Sequence, residues 1–213
     1  MHVQRRGLAV WLGRVSRLAS VDGGWLLAER GAVIVDADQI ARDLQAPGAP
    51  LLDRMAERFG AHIIGADGSL DRAAVAAIVF GDSDDAKQAL SDLNGIVHPA
   101  MQDEIKRQIL DQADTDKVVV LDFPLLGENP RDDIAATVVI DVDPAVAVDR
   151  LVEFRGMDET DARNRITSQI SRDERLATAT HVIDNSGDLD TLRDQVDGLW
   201  TQLVELRDSR TDG

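Results

Sequence analysis

The chain of 213 residues contains no cysteine and no tyrosine, and aromatic side chains make up only 3% of it. The lack of cysteine excludes a disulfide framework, thiolate catalysis and cysteine-rich zinc sites, so we expect a cytoplasmic protein. Because aromatic residues are few, the core must consist mainly of Leu, Val, Ile and Ala, which favours helices packed on a parallel sheet. Lysine is also missing from the first part of the chain, since the first lysine is Lys87.

Positive charge is in deficit as well. The chain has 39 acidic and 23 basic residues, and its net charge is -16. A surface of this sign repels nucleic acid and anionic membranes, so we expect neither as a partner. Apolar runs are shorter than the roughly 20 residues that span a bilayer, which predicts that a transmembrane anchor is absent. The sequence leaves the oligomeric state open.

Apolar runs alternate with segments of helical spacing. Runs typical of buried strands occur at residues 31–38, 117–122, 136–143 and 181–187. Between them, Pro144 begins a predicted helix to Arg155, and Pro99 is predicted to begin a helix that ends near Ala113. Alternation of strand and helix is typical of a parallel sheet with helices on its faces, so the predicted fold class is α/β.

Asp36 and Asp38 follow the first of these runs directly, where open α/β sheets bind their ligands. A carboxylate in this position can cap a helix or accept a proton from a hydroxyl group. The highly charged segment 156–179 leaves two interpretations open in the same way. Its arginines belong either to a solvated helix surface or to a mobile cationic lid.

Six segments together resemble the dephospho-coenzyme A kinase family, over about residues 26–205. In chain order they are VIVDADQIAR, ADGSLDRAAVAAIVF, NGIVHP, VVLDFPLLGEN, RLVEFRGM and SQISRDERLATATHVIDNSG. The resemblance implies a three-layer P-loop kinase fold with a helical insertion and a helical lid. It also implies transfer of the ATP γ-phosphoryl group, with Mg²⁺, to the ribose 3′-hydroxyl of dephospho-coenzyme A, the final step of coenzyme A biosynthesis.

The resemblance also implies roles for single residues. Asp38 would take the hydroxyl proton, with Asp36 beside it and Arg42 on the same helix. The residues that it places near the acceptor are His98, Pro99, Pro124, Leu125 and Leu126. Those that it assigns to the lid approach and the nucleotide are Arg150, which we expect to be catalytic, and Arg155, Asn185 and Gly187. Packing at a helix start remains an alternative for His98, and an ordinary buried loop for residues 124–126; metal ligands stay unknown.

On this basis the chain is predicted to be a single kinase-like unit with three parts. The core comprises residues 1–44, 96–152 and 180–208. Residues 45–95 form the helical insertion for the acceptor substrate, and residues 153–179 form the lid.

The phosphate loop of the family, GGxGxGK[ST], is not present. The corresponding stretch is WLGRVSRLASVDGG, and GK[ST] occurs nowhere in the chain. The apolar residues of this stretch recur at helical spacing and predict a helix that caps the sheet, ahead of a membrane-surface helix or a targeting segment; they are Leu8, Trp11, Leu12, Val15, Leu18 and Ala19. A displaced reading frame over codons 5–28 is another explanation, which resequencing of the gene decides.

These features predict a dephospho-coenzyme A kinase whose activity is diminished by loss of the phosphate loop. The alternative from another class is a non-catalytic protein that binds coenzyme A or a nucleotide. A different small-molecule P-loop kinase is disfavoured, because the DAD, HP and PLL segments together indicate one acceptor.

Overall fold

The computed structural model describes residues 7–14, 23–123, 134–168 and 171–209. Its strands are β1 (Leu8–Arg14), β2 (Val33–Asp36), β3 (Val118–Asp122), β4 (Ala136–Asp141) and β5 (His181–Asp184). Its helices are α1 (Gly23–Glu29), α2 (Ala37–Leu44), α3 (Pro50–Phe59), α4 (Arg72–Val79), α5 (Asp84–Leu110), α6 (Pro144–Arg155), α7 (Glu159–Thr167), α8 (Arg172–Ala177) and α9 (Leu189–Ser209), with a 3₁₀ turn at Ala61–Ile63.

The five strands form one sheet in the order β2-β3-β1-β4-β5. The pairs β1 with β3, β1 with β4, and β4 with β5 are parallel. Helices lie between β1 and β2, between β2 and β3, and between β4 and β5, in the manner of the crossover connections that parallel strands need. The predicted α/β class with a parallel sheet is confirmed, and β2 lies at an edge of the sheet.

Strand β1 corrects the prediction of an N-terminal helix. It lies between β3 and β4, and its Leu8, Val10 and Leu12 are at most 2% exposed. A central strand of a parallel sheet is buried on both faces, so it tolerates a nearly continuous apolar run. Such a short run satisfies helical and strand spacing alike, which is why periodicity alone did not identify it.

Helix α5 corrects a second prediction. It runs unbroken for 27 residues and carries Pro99 in its interior, so a helix does not begin there. Proline lacks an N–H donor, but its own φ is helical, and the helix therefore continues at the cost of one hydrogen bond. His98 and Pro99 are both exposed on this helix.

The chain divides into two compact units, Met1–Val35 with Ile109–Gly213, and Asp36–Gln108. In the first unit, apolar residues of the sheet pack with α1 and α9. In the second, α3, α4 and the 3₁₀ turn share a core that includes Met55, Phe59 and Ile63. The predicted insertion 45–95 falls within the second unit, and the predicted lid contains α7 and α8; the limits of these parts stay predictions.

Within the described ranges, no helix combines the length and the apolar character needed to cross a bilayer.

Arg30, which directly follows α1, forms an ion pair with α9, since its Nε lies 2.6 Å from Asp197 Oδ1. The same guanidinium donates to the carbonyl oxygen of Leu26 at 2.6 Å. This ion pair lowers the pKa of Asp197 below its ordinary value.

Replacement of two glycines by alanine is expected to change the free energy of unfolding in opposite directions. Gly156 ends α6 in the left-handed region at φ 61°, whereas Gly198 lies inside α9 with open space where an added Cβ would lie. Gly156→Ala should lower the free energy of unfolding by about 1 kcal/mol, since a Cβ is strained there. Gly198→Ala should raise it by up to about 1 kcal/mol, since alanine is the better helix former. Urea denaturation measures both, and equal effects would contradict this assignment.

Candidate functional site

Aspartates end three strands of the first unit, and two of them are buried whereas the third, Asp184, is exposed. Asp122 is the last residue of β3, Asp141 of β4 and Asp184 of β5. Asp122 is in register with Leu12 of β1, and Asp141 is in register with Asp184. Because these strands are parallel, their carboxyl ends share one edge of the sheet, where ligands of open α/β sheets bind.

Asp141 is the centre of an ionic cluster at this edge. Its side chain is 4% exposed, and it pairs with two arginines of α8. Arg172 donates from Nε at 2.8 Å and approaches with Nη2 to 2.6 Å, both at Oδ2. Arg175 donates from Nη2 to Oδ1 at 3.2 Å. The bond to Asp141 is the main reason that the pKa of Arg172 is raised. The cluster thus holds two cations against one carboxylate.

The loop after β5, residues 185–187, is held by Arg150 of α6. The two terminal nitrogens of Arg150 donate to the carbonyl oxygens of Asn185, at 2.7 Å, and Gly187, at 3.1 Å. Asn185 is 2% exposed, and its side-chain Nδ2 has no hydrogen-bond partner among the described residues. Buried amides are normally satisfied, so this donor is suited to a ligand acceptor. We name residues 185–187 the Asn185 loop.

The pKa of Asp184 lies below its ordinary value. Hydrogen bonds from the side chain and backbone of Ser186 are the largest causes, and Arg172 and Arg150 add smaller electrostatic contributions. Ser186 also accepts a hydrogen bond from the backbone of Asp143, which caps α6. These contacts keep a negative charge beside the guanidinium groups of the cluster.

The DAD segment is at the start of the second unit. Asp36 is the N-cap of α2, and its Oδ1 accepts from the backbone N–H groups of Asp38, at 2.9 Å, and Gln39, at 3.1 Å. Asp38 lies in the first turn and is partly buried. Arg42, one turn later, is exposed and donates to Gln39. Capping is therefore the structural role of Asp36, while the proposed role of Asp38 as a base stays a prediction.

The remaining predicted residues are exposed or lie outside the described residues. Arg155 is exposed in the last turn of α6, and His98 and Pro99 are exposed on α5. Pro124, Leu125 and Leu126 lie outside the described residues. The same holds for residues 15–22, which connect β1 to α1 where a phosphate loop belongs. The order of strand, connection and helix is that of a P-loop, although the connection carries no lysine.

Sequence reasoning did not single out Asp122 or Asp141. Both end an apolar run, at VVVLD and ATVVID, and this pattern was a usable signal for either. The charged segment drew attention to the arginines of α8 but not to their partner. Asp141 precedes Arg172 by 31 residues, so spacing along the chain does not indicate the contact.

Comparisons with known proteins identify the family. The family model described as Dephospho-CoA kinase matches residues 23–191. The dephospho-CoA kinase of Streptomyces avermitilis is 45% identical over 182 residues, which cover 84% of this chain and 85% of that protein. That of Leifsonia xyli is 46% identical over 180 residues, which cover 83% of this chain and 89% of that protein.

Solved structures agree on the fold. TT1252 from Thermus thermophilus superposes with a TM-score of 0.70 at 22% identity, covering 93% of this chain and 98% of that one. The dephospho-CoA kinase from Campylobacter jejuni gives 0.61 at 20% identity, covering 92% and 96%. Together with the sequence matches, these findings confirm the predicted resemblance, and this chain belongs to the dephospho-CoA kinase family.

Proposed function

We propose that this protein transfers the γ-phosphoryl group of ATP to the ribose 3′-hydroxyl of dephospho-CoA, the final step of CoA biosynthesis. The observation that carries this proposal is the family match over residues 23–191, which includes the DAD segment and the Asn185 loop. In the reaction the 3′-oxygen forms a bond to the γ-phosphorus. The bond from that phosphorus to the bridging oxygen breaks, and ADP leaves.

The side chains supply positioning and charge, which dominate catalysis of phosphoryl transfer. Asp38 would accept the proton of the 3′-hydroxyl as the new bond forms. Arg172 and Arg175 would offset the negative charge of the phosphates from the sheet edge. Asn185 would donate to the nucleotide the side-chain N–H that no described residue accepts, and Arg150 keeps the Asn185 loop in shape.

Magnesium bound to the ATP phosphates would neutralise further charge. Asp122 fits a role beside it, since it is a buried carboxylate at the end of β3, in register with β1. From β1 the chain enters the connection where the phosphate loop belongs. Magnesium commonly uses one or two carboxylates together with substrate phosphates, so a larger acidic cluster is not needed.

The missing phosphate-loop lysine favours a second candidate function. Without it and the glycine-rich backbone, the protein would bind dephospho-CoA or a nucleotide but turn over slowly. The family match begins at Gly23, after the segment that lacks the motif. The acceptor segments of the chain therefore lie within the family match, and the segment in place of the phosphate loop lies before it.

One experiment separates the two candidates. The purified chain is incubated with ATP, Mg²⁺ and dephospho-CoA, and CoA and ADP are quantified by mass spectrometry, while calorimetry measures binding of each substrate. Equal amounts of CoA and ADP support the kinase. Binding of dephospho-CoA without turnover supports the non-catalytic protein, and absence of both binding and turnover contradicts both.

Arg150 provides a test of the nucleotide side of the site. Arg150→Ala removes the two charge-assisted hydrogen bonds that hold the Asn185 loop, so the dissociation constant for ATP should rise about tenfold or more. Arg150→Lys should restore little, because a single ammonium does not reproduce the forked geometry. Arg193→Ala is the control, since its exposed pair with Asp190 spans 3.6 Å on α9. Unchanged ATP affinity in Arg150→Ala would show that ATP binding does not depend on the hydrogen bonds from Arg150 to the Asn185 loop.

A further inference from the structure

Helix α8 has little apolar attachment to the rest of its unit. It is six residues long, and none of its residues is buried. Its start is stabilised locally by a capping box between Ser171 and Glu174. A helix of this length does not persist on propensity alone, so its position must come from tertiary contacts. Its strongest contacts to the sheet are the ion pairs of Arg172 and Arg175 with Asp141.

We propose that Asp141 is a positioning residue that holds α8 against the sheet edge and fixes both of its arginines for the nucleotide phosphates. Its two carboxylate oxygens are divided between the arginines, Oδ2 to Arg172 and Oδ1 to Arg175. The carboxylate is almost fully buried, and Arg175 is only 11% exposed. In such a setting the ion pair is weakly screened, and loss of one partner leaves a buried charge without its counterion.

Asp141 also joins α8 to the Asn185 loop. Its backbone carbonyl oxygen accepts the N–H of Asn185 at 2.7 Å. One residue therefore contacts the lid arginines through its side chain and the Asn185 loop through its backbone. The Nε of Arg175 is buried and has no hydrogen-bond partner among the described residues, which leaves a cationic donor available to an anion. Holding the arginines in place before ATP arrives lowers the entropy cost of binding it.

The first test is hydrogen exchange of the full chain without nucleotide, so its outcome does not depend on the proposed function. Asp141→Asn keeps the size of the side chain and removes its charge. Amides of residues 171–178 should exchange about tenfold faster, while those of α9 should be unchanged. Glu159→Gln is the matched control, because it breaks an exposed ion pair with Arg163 on the neighbouring helix and should change neither.

Arg172→Gln is a milder second variant, which keeps the test possible if Asp141→Asn fails to fold. Arg172 is 47% exposed, so its loss leaves Asp141 paired with Arg175 and does not bury a lone charge. Exchange in α8 should rise by a smaller factor than in Asp141→Asn. Unchanged exchange in both variants overturns the proposal, as does an increase of the same size in α9.

The second test concerns ATP and rests on the proposed function. In Asp141→Asn the KM for ATP should rise about tenfold, the KM for dephospho-CoA should stay constant, and Asp141→Glu should recover part of the loss. A fall in kcat at constant KM for ATP would overturn the positioning role. If the unaltered chain shows no turnover, the dissociation constant for ATP from calorimetry replaces KM. Failure of the proposed function would thus leave the exchange result standing.

Discussion

Replacement of residues 14–21 by a GxxxxGK[ST] octapeptide is expected to raise kinase turnover by roughly 100- to 1000-fold. This replacement keeps residues 8–13 of β1 and the whole of α1. The new backbone N–H groups would surround the β- and γ-phosphates. The new lysine would supply an ammonium group to them, whereas residues 1–86 of the natural chain contain no lysine. Initial rates of CoA formation at saturating ATP and dephospho-CoA measure the change.

The control for this gain is a second octapeptide, GxxxxGA[ST], which differs by one side chain. It should retain the backbone contacts and lose most of the increase in turnover. Arg14 and Arg17 carry charge in the natural segment, but a guanidinium differs in shape from an ammonium, so we expect them to replace the lysine charge only in part. Turnover in the unaltered chain equal to that of the restored one would show that the missing motif is dispensable.

Where the sequence predicted elements correctly, local chemistry and burial agreed. Helix α6 begins at Pro144 behind the Asp143 cap and ends at Gly156, so proline, cap and glycine all lie where helix termini favour them. Strands β3 and β4 were identifiable because their apolar runs are short and rich in valine. Asp36 likewise caps a helix, one of the two roles that its position after a strand allows.

The errors came from features that sequence alone leaves ambiguous. The apolar run of β1 fits a helix or a central strand equally well, and only its pairing with β3 and β4 distinguishes them. Pro99 is compatible with a helix start or a helix interior, and here the surrounding residues continue the helix in both directions. For β1 strand pairing overrides an ambiguous local preference, and for Pro99 the helical residues on both sides do so.

The site was predictable only in part for a related reason. The DAD segment and the Asn185 loop are contiguous motifs, so a family resemblance locates them. The ionic cluster is not contiguous, because Asp141 lies on β4 and its arginines lie on α8, 31 and 34 residues later. Spacing along the chain carries no signal for a contact of this kind, which requires the strand end and the helix to be placed in space.

Loss of the proposed base should have the second large effect. In the chain with the restored phosphate loop, Asp38→Asn should lower kcat by about 100- to 10,000-fold, since an amide cannot take the proton of the 3′-hydroxyl. The KM for ATP should change little, because the proton belongs to the acceptor. Steady-state rates with each substrate varied in turn measure both parameters.

Two neighbours on α2 separate this chemical effect from a structural one. Asp43 is exposed and accepts a hydrogen bond from Gln39, so Asp43→Asn should leave kcat unchanged. Asp36→Ala removes the N-cap and should lower the free energy of unfolding by about 1 kcal/mol. Asp38→Asn should leave the urea midpoint near that of the parent, because Asp38 does not cap the helix. If its kcat loss is matched by Asp43→Asn, or is accompanied by the same destabilisation as Asp36→Ala, proton transfer to Asp38 is not the cause.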